Sequence, residues 1–531
     1  MVVSASAIAS QAGADVLAAG GNAVDAAVAT GLALAVTYPT AGNIGGGGFM
    51  VIRFPDGRAT TIDFREKAPA AAHPNMFLDS AGNYSARIHH NTHVAVGVPG
   101  TVAGFAYAHE KYGRGQWRTL VEPAVRLASD GFVVPPGLAG SLRGVQGKLG
   151  RFPASKAAYY KPDGSPYAEG ERLVLGDLGR TLARVRDQGR DGFYTGETAR
   201  LIEAEMRANG GLITAADLAA YQPAERAAVR GNYRGYEIIS MPPPSSGGVA
   251  MVTMLNILEG FDVGAGPHNG TRHVHLLAES MRRAFRDRAQ HVGDPDFVSV
   301  PVERLTSKAH ANTLRATIDT TRATKSQVTD VVADWESDET THYSVVDKDG
   351  LAVSVTYTLE AGYGLGAVVA GAGFLLNNEM GDFNGKPGLT DTTGLIGTAA
   401  NVARPGKRML SSMTPAIVAK DGELVAVLGS PGGRTIINTV LQVIVNLIDF
   451  KMPVQQAVDA ARVHHQWLPD RLSIEANGVT PAVQAQLEAM GHVVRVGGRQ
   501  GTAHSLAVDP VTKVRTGAPD SRDRDAGAAG R

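Results

Sequence analysis

The feature that most constrains this 531-residue chain is a change of texture at residue 340. Thr306 to Asp338 is polar with few strong apolar runs, reads as a surface segment, and ends in the acidic stretch Glu336-Ser337-Asp338-Glu339. Short β-type runs follow: His342 to Val346 and Leu351 to Leu359 flank Asp347-Lys348-Asp349-Gly350. A three-residue loop with Gly350 in the left-handed region commonly joins two such strands. That register sets Asp347 against Leu351 and, counted outward, Thr340 against Thr358, with both hydroxyls on one face about 5 Å apart at Cβ. A two-residue turn sets Tyr357 against Thr340 instead, and both registers stay open at this point.

Upstream, alanine-rich helical stretches alternate with glycine breaks. Gly20-Gly21 stops one helix and Asn22 can cap the next. That second stretch, Ala23 to Thr37, is the most apolar in the chain. It is too short to span a bilayer, carries Asp25 and ends before Pro39, so it is expected to be a buried helix. Gly45-Gly46-Gly47-Gly48 leads into a hairpin, Phe49 to Phe54 and Ala59 to Phe64 around Pro55-Asp56-Gly57, with Arg65 at the outgoing end. From Thr101 to Tyr221 the pattern is mostly helical. Ala199, Ile202 and Met206 share a face there, and Thr214 with Asp217 forms a capping pair. Met241-Pro242-Pro243-Pro244-Ser245-Ser246-Gly247-Gly248 reads as a rigid loop before another helix.

Composition excludes several functions. Lys plus Arg equals Asp plus Glu at 51 each, so bulk charge draws the chain to neither nucleic acid nor anionic lipid, and no nucleic-acid or membrane partner is expected. Cysteine is absent, which removes disulfides, thiolate metal sites and a cysteine nucleophile. Met1-Val2-Val3-Ser4-Ala5 has neither a basic nor an apolar leader region, so no signal peptide is expected in this chain. His89-His90, His273 with His275, and His464-His465 lack the acidic spacing of a zinc helix, and Asp347-Lys348-Asp349-Gly350 lacks the rest of a calcium loop. No metal or organic cofactor is expected.

A second constellation carries chemistry. Leu424 to Leu428 reads as a strand, followed by Gly429-Ser430-Pro431-Gly432-Gly433 and then by Ile437, Val440, Leu441, Ile444, Val445 and Ile448 at helical spacing. A glycine loop at a helix start offers backbone N–H groups at the positive end of the helix dipole, suited to a phosphate or a developing oxyanion. A phosphate loop wants Gly-Lys-Ser/Thr, whereas Arg434-Thr435 follows Gly433 here. A plain tight turn is the third possibility.

Taken together, Thr340-Thr341-His342-Tyr343-Ser344, Asn377-Asn378-Glu379-Met380-Gly381-Asp382, Leu410-Ser411-Ser412-Met413-Thr414-Pro415 and Gly429-Ser430-Pro431-Gly432-Gly433 resemble the γ-glutamyltransferase family. Ala19-Gly20-Gly21-Asn22-Ala23-Val24-Asp25, Asp63-Phe64-Arg65-Glu66 and Pro99-Gly100-Thr101 are similar to its other signatures, and the resemblance runs from about residue 7 to about residue 520. It implies an α+β fold, a four-layer αββα sandwich of N-terminal-nucleophile hydrolase type. It also implies a precursor that cuts itself between Glu339 and Thr340 into a 1–339 large and a 340–531 small subunit, which stay together as one heterodimeric unit.

By matched positions, Thr340 is the nucleophile, Thr358 holds its amine, and Gly432 and Gly433 bind the oxyanion. Arg65, Ser411 and Ser412 hold the α-carboxylate of the substrate. Glu360, Glu379 and Asp382 hold its α-ammonium, although some family members carry Asn or Gln at the first two positions. Gly433 and Thr358 also face the substrate. Asn384 to Lys407, rich in Gly, Thr and Pro, resembles a lid over the glutamyl pocket that restricts acceptor access. The resemblance points to glutathione and other γ-glutamyl amides as donors, to water, amino acids or dipeptides as acceptors, and to a periplasmic or secreted location. Two rival readings are an acylase of the same family that removes glutaryl side chains from cephalosporins and an uncleaved, inactive homologue that only binds γ-glutamyl compounds.

Overall fold

A computed structural model describes residues 1–327, 340–389 and 398–530. Two sheets face each other at its centre. The first has seven strands in the spatial order Gly527–Ala529, Val2–Ser4, Thr341–Val346, Ala352–Thr358, Gly47–Arg53, Ala59–Asp63, Ala224–Arg226. The second has six, in the order Arg515–Ala518, Ser505–Val508, Glu423–Leu428, Ala416–Lys420, Tyr236–Ser240, Val229–Tyr233. The helices Ala7–Ala18, Ala23–Thr37, Thr101–Tyr112 and Trp117–Ser129 share one hydrophobic core with the first sheet. Gly247–Leu258, Thr271–His291 and Thr435–Ile448 pack with the second. These are the four layers, helix on sheet on sheet on helix, that the resemblance implied.

Side-chain alternation explains the layering. In the hairpin Tyr343, Val345, Val353, Val355 and Tyr357 point into the helical core, because successive strand residues face opposite sides. His342, Ser344, Ser354 and Thr356 therefore point toward the second sheet. The Ser354 hydroxyl donates to the Leu428 carbonyl at 2.9 Å and the Ser344 hydroxyl to the His504 carbonyl at 2.8 Å, while His342 Nδ1 lies 2.8 Å from Thr356 Oγ1. A polar row so tied between sheets leaves none of these buried hydroxyls without a partner.

The hairpin takes the three-residue solution. Ser354 pairs with Ser344 and Tyr357 with Thr341, the Asp347 amide donates to the Leu351 carbonyl, and Gly350 has φ 87°. The same count places Thr340 opposite Thr358. Ala23–Thr37 is a helix with every residue buried, capped by Asn22 and Asp25 in a reciprocal pair. The Thr214–Asp217 capping pair forms as expected. One expectation changes: within the polar segment after Thr306, Lys308–Arg315 is a helix that Ser307 caps, and it buries Ala311 and Leu314 against Ile257. Two apolar positions three apart suffice for one buried stripe, even in a polar run. Residues 328–338 of that segment, and Glu339, lie outside the described residues. Among the described residues no helix is long and apolar enough to cross a membrane.

The Thr340 hairpin is anchored to the glycine run by Asn43. Its Nδ2 donates to the Thr358 and Ala41 carbonyls at 2.8 and 2.9 Å, and its Oδ1 accepts from the Gly46 amide and the Thr101 hydroxyl at 2.9 and 2.7 Å. A Cβ on Gly46 would collide with the same Thr358 carbonyl, so only glycine fits against it. Asn43→Ala strands several buried donors and acceptors, each costing about 1–3 kcal/mol. The variant is expected to lose about 2–4 kcal/mol of folding stability, read as a lower midpoint in urea denaturation; an unshifted midpoint would show that Asn43 is not an anchor.

Candidate active site

Five segments converge on one cavity lined by Arg65, Thr340, Thr358, Glu360, Glu379, Asp382, Ser411, Ser412, Met413, Gly433 and Ile436. Every substrate-facing residue expected from the sequence is in that set. Thr340 Oγ1 lies 3.4 Å from Thr358 Oγ1, and the Thr358 hydroxyl also accepts from the Glu360 amide at 2.9 Å. Glu360 has φ 75°, a region that a residue with a Cβ seldom adopts, so the chain turns sharply there to aim its carboxylate at the cavity.

Opposite the hydroxyl lies the glycine loop before Thr435–Ile448. Gly432 and Gly433 have φ 124° and 53°, which lets the backbone turn its amides outward. Neither N–H donates to any described residue. The Thr435 hydroxyl holds the Gly432 carbonyl at 2.7 Å, which leaves the N–H edge as the free one. Of the three possibilities for this motif, two unsatisfied N–H groups beside a hydroxyl suit a developing oxyanion.

Arg65 leaves strand Ala59–Asp63 and is fully buried. Its backbone is fixed by Asp63 Oδ1, which accepts from the Arg65 amide, and by the Tyr221 hydroxyl on its carbonyl. The guanidinium pairs with Glu379 through Nη1 and with Asp382 through Nη2, and Nη2 also donates to the Leu410 carbonyl at 3.0 Å. Glu379 and Asp382 span a four-residue 3₁₀ turn. Residues three apart on such a turn eclipse each other, so both carboxylates reach the same fork. The expected division into a carboxylate-binding Arg and an ammonium-binding acid group is thus modified: the two halves are ion-paired with each other, and a zwitterion has to share or part them.

Several participants have no signal in the sequence. Glu66 follows Arg65 into the interior, 3.7 Å from its guanidinium. Burial and the neighbouring Asp382 carboxylate push its carboxyl up to about 8, against the pull of Arg65. Burial likewise raises Glu379 well above the usual carboxylate range. His90 Nδ1 lies 3.0 Å from Glu360 Oε1, and Asn378 Nδ2 donates to Glu360 Oε2. Arg288, from helix Thr271–His291, donates to the Ser412 hydroxyl at 3.1 Å and to the Ser246 hydroxyl at 2.8 Å. Ser246 in turn bonds the Ser411 carbonyl through both its amide and its hydroxyl, so the proline loop positions the serine pair. Only Glu66 and Asn378, which adjoin site residues in the quoted motifs, could have been suspected.

The flanks of the expected lid are tied down: Asn401 Nδ2 donates to the Asp382 carbonyl at 2.6 Å and its Oδ1 accepts from the Leu410 amide at 2.9 Å. Residues 390–397 of the lid lie outside the described residues. Away from the cavity His275, Glu279 and His492 come within 4.8 Å of one another, a meeting the histidine spacing did not disclose. Their atoms are engaged: His275 Nδ1 with His492 Nε2 at 2.8 Å, and Glu279 with Arg283 and Thr324.

The Glu66 carboxyl binds its proton more tightly in the folded chain than when unfolded. Its contribution to stability is full below its ordinary value of 4.5 and is lost as pH rises through about 8. Denaturation midpoints of the parent and Glu66→Gln between pH 5 and 9 are expected to diverge, the parent losing stability relative to the variant toward pH 9. Parallel curves would mean that Glu66 carries no such proton.

The family model described as Gamma-glutamyltranspeptidase matches residues 9–530. The chain is 48% identical to the glutathione hydrolase proenzyme of Escherichia coli K12, covering 100% of this chain and 91% of that one. It is 41% identical to the acylase ACY 1 proenzyme of Pseudomonas sp. strain SE83, over 96% of this chain and 90% of that one. A cephalosporin acylase structure from Bacillus halodurans superposes with TM-score 0.87 at 26% identity, covering 100% and 95% of the two chains. The chain belongs to the gamma-glutamyltranspeptidase family.

Proposed function

We propose that the protein is a γ-glutamyltransferase and glutathione hydrolase that matures by cutting itself before Thr340. The observation that carries the substrate assignment is charge: one guanidinium, Arg65, is ringed by Glu66, Glu379 and Asp382, with Glu360 on the same cavity. Even with burial raising Glu66 and Glu379, the acids Asp382 and Glu360 outnumber the one guanidinium, and a buried carboxylate without a counter-charge is costly, so the site calls for a cation. A γ-glutamyl group brings an α-ammonium for the acids and an α-carboxylate for Arg65, Ser411 and Ser412. A glutaryl group brings only the carboxylate, which argues against the acylase reading despite the acylase relatives.

In the precursor the Thr340 hydroxyl attacks the Glu339 carbonyl carbon, and the acyl group passes from nitrogen to oxygen as an ester. Water opens that ester, which leaves a new carboxyl at Glu339 and a free α-amine on Thr340. The amine, with an ordinary pKa of about 7.7, takes the hydroxyl proton as the oxygen attacks a γ-glutamyl carbonyl. Gly432 and Gly433 N–H groups take the negative oxygen, and Thr358 steadies the amine. The substrate's own amine leaves with the proton, and water or another amine then takes the γ-glutamyl group from Thr340. Pieces 1–339 and 340–531 remain one unit because the first sheet interleaves them: Thr341–Val346 pairs with Val2–Ser4, and Ala352–Thr358 with Gly47–Arg53. We assign the enzyme to the periplasm or the extracellular space, and the Asn384 to Lys407 stretch to a lid over the pocket.

Thr340→Ala removes the group used for both the cut and turnover. Denaturing gels should show one intact chain, with no γ-glutamyl anilide hydrolysis, whereas the parent shows two bands. Two fragments in the variant would end the self-cleavage reading, and an uncut but active parent would end the N-terminal-amine mechanism.

Asp382→Asn keeps the shape of the side chain and removes one charge. Truncating one partner of a desolvated pair costs about 2–5 kcal/mol, roughly 30- to several thousand-fold in kcat/KM for γ-glutamyl donors. Asp382 also steadies Arg65, so glutaryl anilides should lose some rate, by a smaller factor. Equal losses on both donors would place Asp382 in a purely structural role, and a parent that prefers glutaryl donors would favour the acylase.

A further inference from the structure

Thr340 also borders a second cavity, of about 130 Å³, lined by Tyr38, Pro431, Gly432, Thr435, Arg499, Gly501 and Thr502. The two cavities share the nucleophile, and Gly433 lines one while Gly432 lines the other. A carbonyl carbon held at the Thr340 hydroxyl, with its oxygen on these two amides, has its acyl chain in one cavity and its leaving nitrogen facing the other. The glutamyl side is lined by three carboxyl groups, Glu360, Glu379 and Asp382. On the far side Arg499 is the single charged side chain among the lining residues.

The loop that carries Arg499 is built against the catalytic loop. Gly501 has φ 66°, and a Cβ there would collide with Ser430 Oγ and the Pro431 carbonyl. Next to Arg499, buried Gln500 donates its amide to Glu475 Oε1 at 2.8 Å, and its carbonyl accepts from Arg462 Nη1 at 2.6 Å. The exposed Arg499 side chain spends one of its N–H donors on the Arg522 carbonyl at 3.0 Å, and its charge also reaches the largely buried Asp523. Its other donors have no partner among the described residues. A planar fork on a fixed loop at the rim of a reaction cavity suits a carboxylate.

We propose that this cavity holds the amine partner, the departing and the incoming amino acid or dipeptide alike, and that Arg499 binds its α-carboxylate. The inference rests on the γ-glutamyl reading above and adds a specificity residue to it. In transfer, the incoming nitrogen bonds to the acyl carbonyl carbon and the ester bond to Thr340 Oγ breaks. The proton released by that nitrogen passes through the Thr340 α-amine to the freed oxygen. Arg499 takes no part in these bond changes and sets where the amine stands.

The test is transfer of the γ-glutamyl group from a γ-glutamyl anilide to glycylglycine and to glycylglycinamide, which differ only in the terminal carboxylate. The parent is expected to favour glycylglycine, and Arg499→Ala to reduce that preference about tenfold, chiefly through acceptor KM, as loss of a hydrogen bond to a charged group at an exposed site does. Arg499→Lys keeps the charge and should retain most of the preference. A parent indifferent to the carboxylate, or a preference unchanged in Arg499→Ala, overturns the assignment. A parent that does not turn over the anilide in water alone fails the γ-glutamyl reading instead, so the two failures are distinguishable.

Discussion

The antiparallel pairing of Thr341–Val346 with Ala352–Thr358 is the constraint on which the rest depends. It lies inside the first sheet, and its two faces serve both cores. With the three-residue turn, tyrosines and valines meet the helices while serines, threonines and His342 meet the second sheet. A slip of one residue would reverse every one of these, driving Tyr343 and Tyr357 between the sheets and the polar row into an apolar core. Thr340 is the outward continuation of that polar row. Its hydroxyl therefore faces the gap where the glycine loop of the second sheet ends, and the layering itself brings the Thr340 hydroxyl beside Gly432 and Gly433.

Burying Arg65 among carboxylates is the costly part of the site. A guanidinium with no exposure needs compensation at short range, and Glu379 and Asp382 supply it on adjacent prongs of the fork. Those two carboxylates exceed the charge they neutralise, and Glu66 and Glu360 add to the excess. Burial answers in part by raising the proton affinity of Glu66 and Glu379. The remainder gives the cavity its preference for a group that carries both signs. The same network links distant elements: the proline loop, the Arg288 helix and the 3₁₀ turn at Glu379–Asp382 all end on it.

Much of the reaction was legible in the residues themselves. Turn chemistry at Gly350 offers a register that sets Thr340 against Thr358, strand–glycine–helix order offers an anion site at Gly432 and Gly433, and the family resemblance of ordered motifs nominates Arg65, Glu360, Glu379, Asp382, Ser411 and Ser412. Each is local: a turn type, a helix start or a short string whose meaning survives without neighbours. Ala23–Thr37, with Asn22 and Asp25 at its head, is legible for the same reason.

What the sequence by itself determined is thus local: the capped helices, the glycine turns and the ordered motifs whose resemblance nominates Thr340, the glycine loop and the charged set. The tertiary structure alone decided how they meet. Arg65 is paired with the very acids assigned to the opposite end of the substrate, Arg288 and His90 arrive from helices far away in the chain, and Arg499 stands across the nucleophile on a loop about 160 residues downstream. The reason is physical: turns and helix caps are settled by dihedral preferences within a few residues. Ion pairs and cavity walls depend on which surfaces the packed layers press together, and sequence separation does not encode that.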